Sequence, residues 1–151
     1  MSVLYVITPF ERPAWRFEAN DFIERIQRRW PTAQYRVDPD RPMPVEVLIR
    51  FDPPHRDLGV ALHPEGWFVS LEPSDRQAVA EFAAWYGRQL PATDPPVYLS
   101  TQDVINLELG PHTTEDTVLR FLDDPQRFGL PFRRLGPPVN TEPDPRGMDS
   151  T

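Results

Sequence analysis

The side chains most able to do chemistry are three histidines, His55, His63 and His112, set among 23 carboxylates. Acyl or ester transfer would need one of them beside a serine or threonine nucleophile, with a carboxylate to orient the ring. No Gly-x-Ser-x-Gly elbow occurs. His63 falls at a predicted hairpin and His112 just before a predicted helix, which are turn and cap positions. His55, Asp57 and His63 match no established zinc or iron spacing, and two of them fall in loops. The adjacent Asp123 and Asp124 sit at a helix end and resemble neither a calcium loop nor a glycosidase pair. Seven glycines form neither a phosphate loop nor a dinucleotide fingerprint. No catalytic residue, metal site or cofactor is therefore expected, and an enzyme with an unrecognised site is the third reading.

The carboxylates remain. Residues 58–126 hold eleven of them against three arginines, a net of −8. Residues 1–57 balance nine against nine and residues 127–151 come to +1, giving −7 for the chain. Glu72, Asp75, Glu115 and Asp116 fall at predicted first turns of helices, where the helix dipole favours them. Glu65, Asp94, Asp103 and Glu108 have no such role. They lie in loops or on a strand with few arginines near in sequence, and we expect them to form a recognition surface for a basic protein; the alternative is a solvated face. Trp15, between Arg12 and Arg16 in a proline-flanked loop, is an expected interface anchor. Otherwise its ring folds back over the sheet.

Composition narrows the class. A pI near 4.9 argues against duplex nucleic acid, whose phosphates need clustered cations. All 16 basic residues are arginine, which we read as codon bias. Cysteine is absent, so disulfides and thiolate ligands are excluded. No basic leader precedes the apolar start, and no apolar run reaches the ~20 residues that span a bilayer. A cytoplasmic protein with no membrane contact is expected. Its oligomeric state is not legible.

The elements that must position these residues follow from periodicity. Residues 3–8 form an apolar run that reads as a buried or first-edge strand. Asn20 or Asp21, with Glu24, can cap a helix carrying Phe22, Ile23, Ile26 and Trp30 on one face, and Pro31 stops it. Residues 34–37 suit a short strand, and residues 45–51 alternate strictly. The runs 58–62 and 67–71 flank His63-Pro64-Glu65-Gly66, a hairpin signal. Ser74 with Gln77 makes a capping box ahead of Val79, Phe82, Ala83, Tyr86 and Leu90. Two more runs, 97–100 and 104–109, precede a helix capped at Thr113 that buries Val118, Phe121 and Leu122. The pattern decays from Pro125. The expected fold is α+β: one domain over residues 1–135, built as a single twisted, mostly antiparallel sheet with helices packed on one face. A proline-rich, mobile tail is expected over residues 136–151.

Residues 59–71, with Gly59, Trp67 and Phe68, then Ala78, Phe82, Trp85 and a Leu90-Pro91 stop, resemble small immunity-type proteins of bacterial polymorphic toxin systems. The likeness is in the order of strand, hairpin, helix, two strands and short helix, and covers about half the chain. It implies a cytosolic, non-enzymatic antitoxin that binds and blocks a cognate toxin domain. An acidic surface would suit a basic toxin such as a nuclease, steering the encounter. The alternative from a different class is an adaptor or secretion chaperone that binds a protein without inhibiting it.

Overall fold

The computed structural model describes residues 4–51, 56–73, 75–91, 94–102 and 105–131. The elements run β1 (Tyr5–Pro9), α1 (Ala19–Arg29), β2 (Gln34–Val37), β3 (Val45–Phe51), β4 (Arg56–Leu62), β5 (Val69–Pro73), α2 (Arg76–Gln89), β6 (Val97–Ser100), β7 (Ile105–Leu109), α3 (Glu115–Asp123), the one-turn α4 (Pro125–Phe128) and β8 (Leu130–Pro131). The expected α+β class is the observed one. Among the described residues eight strands join one sheet in the order β2-β3-β4-β5-β1-β6-β7-β8, with every pairing there antiparallel.

Alternation decides which face is covered. On β3, Val45, Val47, Ile49 and Phe51 are buried while Glu46, Leu48 and Arg50 are not. Register carries the same face across Leu58, Val60 and Leu62 to Val69 and Leu71, then through Ile7 to Leu99 and Val97. These side chains form one core with Phe22, Ile23 and Ile26 of α1, Phe82 and Tyr86 of α2, and Phe121 of α3. The helices thus share one face. At about 25 cal/mol per Å² of apolar surface, such burial is the main stabilising term.

Trp30 joins three elements. Its ring lies 5.5 Å from Phe51, 6.0 Å from Phe82 and 5.1 Å from Trp85. Its Nε1 donates to Glu81 Oε2 at 3.3 Å, which also receives Arg29 Nη2 at 3.1 Å. The α2 helix runs close to the turn after β7, since a Cβ on Gly87 would stand 2.4 Å from the Gly110 carbonyl oxygen.

The helix starts differ from the sequence reading. α1 begins at Ala19 after Glu18, without a side-chain cap; Asp21 instead pairs with Arg25 at 2.9 Å. α2 is capped by Asp75, whose carboxylate accepts from the Gln77 amide at 2.8 Å, and Ser74 lies outside the described residues. Glu72 belongs to β5 and is no helix-dipole partner. Thr114, not Thr113, caps α3, because the Thr113 hydroxyl is engaged as acceptor for the Gly110 amide at 2.9 Å. Beyond Pro125 the chain makes α4 and pairs β8 with β7. The expected tail, residues 136–151, lies outside the described residues.

Candidate partner-binding surface

The expected partner-binding residues map onto the sheet by register. Pro9 at the end of β1 faces Val97 at the start of β6, and Val97 faces Leu109 at the end of β7. The turn between β4 and β5 precedes Val69, which faces Ile7, so it opens at the same end. Glu65 is exposed in that turn, Asp94 is exposed just before β6, and Glu108 is exposed beside Leu109. The fold thus brings these three, from separate stretches of chain, toward one end of the sheet. Asp103 lies outside the described residues.

The β4–β5 turn is built around Gly66. Its φ is +85°, a region that disfavours any side chain. Its amide donates to the His63 carbonyl at 2.9 Å and its carbonyl accepts from the Phe17 amide at 2.8 Å. A Cβ there would stand 2.7 Å from the Phe17 carbonyl oxygen. The β1–α1 loop is therefore fastened to the tip of the hairpin. Arg16 Nη2 adds a bond to the Pro64 carbonyl at 3.3 Å, and Arg12 reaches Glu65 at 3.7 Å. Phe17 anchors the loop in the core beneath Arg25, whose guanidinium carbon sits 5.5 Å from the ring centroid.

Trp15 stands in this fastened loop. It is half-buried, with its ring edge-on to Phe17 at 5.8 Å, and packs against the core. Its indole Nε1 is buried without a hydrogen-bond partner among the described residues. Phe10 stacks on Tyr98 at 5.0 Å. Burial, then the carboxylates of Glu108 and Glu11, push the Tyr98 hydroxyl above its ordinary pKa.

His63 takes a structural place. His63 Nδ1 accepts from the Glu65 amide at 3.3 Å and its ring meets Phe68 edge-on at 5.8 Å. His112 is exposed in the turn before α3, and His55 lies outside the described residues. Among the described residues, no group of three His, Cys, Asp or Glu side chains could hold a metal ion. Among them too, no helix is long and apolar enough to cross a membrane.

Of the eleven carboxylates between residues 58 and 126, Glu65, Glu72, Asp94 and Glu108 are exposed, as are Glu115, Asp116, Asp123 and Asp124 along and beyond α3. The arginines of this stretch serve partly within it: Arg120 pairs with Asp116 at 3.0 Å and Arg76 pairs with Asp123. Comparison with protein-family models, with curated proteins and with solved structures gives no match to this chain.

Proposed function

We propose that this chain is a cytosolic bacterial immunity protein. It binds a cognate toxin domain, a basic one such as a nuclease, and neutralises it stoichiometrically without chemistry of its own. One observation carries the reading: eight of the eleven carboxylates of residues 58–126 stand exposed on the α+β scaffold. Such a surface raises the encounter rate with a basic partner and repels acidic ones.

The test is co-expression with the product of the adjacent gene. Cells expressing that product alone die, and cells that also express this chain survive. Lysine at Glu65, Asp94, Asp103 and Glu108 slows association and flattens its dependence on salt, while the melting temperature stays within a few degrees of the parent. If the neighbouring product is harmless alone, the adaptor reading replaces this one.

A further inference from the structure

The sheet ends on two strands of unlike kind. β8 is two residues long, too short to offer a ladder to another chain. β2 is the opposite edge, and all four of its residues are exposed. Tyr35 and Val37 face Val47 and Val45 in register, so they stand on the helix-covered face of the sheet. They are nevertheless 56% and 47% exposed, the most of any large apolar side chains among the described residues.

One bond sets the backbone direction along β2. The Asp38 amide donates to the Pro44 carbonyl at 2.8 Å, which makes residues 38 and 44 a hydrogen-bonded pair. Antiparallel ladders alternate, so Arg36 with Glu46 and Gln34 with Leu48 are bonded pairs too. The N–H and C=O groups of Tyr35 and Val37 therefore point away from β3, out of the edge. This window is closed at both ends. The Ala33 amide donates to the Trp30 carbonyl at 3.0 Å, and the Ala33 carbonyl accepts from Gln27 Nε2 at 3.2 Å. Pro39 has no N–H. Two donors and two acceptors remain, beside apolar side chains that no proline, bulge or charge guards on the covered face. Such an edge is a template for another strand.

The strand is complementary to itself. Aligned antiparallel about Arg36, Tyr35 of one copy faces Val37 of the other, and the reverse, so that every outward group is bonded. Alignment about Tyr35 would set Val37 against Ala33, whose groups are taken, and alignment about Val37 would set Tyr35 against Pro39. Aromatic and β-branched side chains facing across strands are a favourable pair, and the register makes two of them. It also sets Arg36 against its own copy, which is unfavourable. Each guanidinium is already held by Glu46 of its own chain, on the helix-free face.

We propose that β2 is a self-pairing seam through which two copies of this chain join antiparallel into one continuous sheet. The two-fold axis stands perpendicular to the sheet at Arg36. It leaves both helix layers on one face and turns the two loop ends carrying Glu65, Asp94 and Glu108 in opposite directions, so each copy can meet its own partner. The seam stands whether or not that partner is a toxin. It is small, so the dimer is reversible.

The test is sedimentation and amide exchange of the full-length protein at ~20 µM and ~1 mM, a span suited to weak association. A dimer forms at the upper concentration and dissociates on dilution. In it the Tyr35 and Val37 amides exchange at least threefold more slowly, and the Arg36 amide, already bonded within the chain, slows less. Val37→Pro removes an outward donor that pairing with β3 does not use, so it abolishes the dimer and leaves the melting temperature within a few degrees. If that variant melts early, Tyr35→Lys is read instead, and its charge at the edge weakens the dimer at least tenfold. Arg36→Gln removes the like-charge pair and tightens the dimer about threefold. A monomer at the upper concentration, a dimer that survives Val37→Pro, or one loosened by Arg36→Gln overturns the seam. Protection of Tyr35 and Val37 only after the neighbouring gene product is added gives the edge to that protein and overturns self-pairing as well.

Discussion

At the scale of single residues, two positions expose how the fold is held. Gly66 combines a left-handed backbone with a carbonyl 2.7 Å from where a Cβ would go. Gly66→Ala should cost about 1–3 kcal/mol in urea unfolding and release the β1–α1 loop, read as faster amide exchange at Phe17. Tyr86 presents the opposite case. It is fully buried, and its hydroxyl has no partner among the described residues. Burial pushes that hydroxyl well above its ordinary pKa of 10.0. The unfolded chain therefore ionises at lower pH than the folded one. Stability conferred by the neutral phenol is present below pH 10 and is lost as pH rises above it. Tyr86→Phe should remove this part of the alkaline loss and raise stability at neutral pH by roughly 1 kcal/mol, since an unpaired polar atom leaves the core. Unchanged or lower stability in that variant would mean the hydroxyl is satisfied.

At the scale of elements, the helices were legible by face and less so by their ends. Phe22, Ile23 and Ile26, and Val118, Phe121 and Leu122, are buried as their spacing requires. The caps of α2 and α3 moved by one residue because hydroxyl and carboxyl groups next to each other in sequence compete for different amides, and only the turn geometry chooses. Thr114 caps α3 and Thr113 closes the turn after β7. Thr114→Ala should cost about 1 kcal/mol, seen as faster exchange of the Thr117 amide, the amide it caps. Thr113→Ala should loosen the Gly110 turn and leave that amide protected. Equal effects of the two substitutions on Thr117 exchange would contradict this division.

At the scale of the whole molecule, β1 joins the two halves. It pairs with β5 on one side and β6 on the other, so the first strand in sequence is central in space. Ile7, fully buried on β1, should cost about 2–5 kcal/mol as Ile7→Ala, with unfolding still a single transition by fluorescence and circular dichroism. Two separated transitions would show that the halves fold independently. The sequence by itself determined the strand and helix types as far as α3, the hairpins and the covered face, because these rest on local periods of two and 3.6 residues; α4 and β8, a single turn and a two-residue strand, are too short to show a period. It also determined that Glu65 and Asp94 are in turns and that Glu108 points away from Leu107 and Leu109, since proline, glycine and alternation act over a few residues. Only the tertiary structure decided that Glu65, Asp94 and Glu108 approach one end of the sheet, that Trp15 is half-buried in a loop fastened to Gly66, and that Tyr35 and Val37 lie uncovered on the edge strand. Each depends on which strands become neighbours. That choice is made by long-range burial of Ile7, Leu71 and Leu99 together, and no local period encodes it.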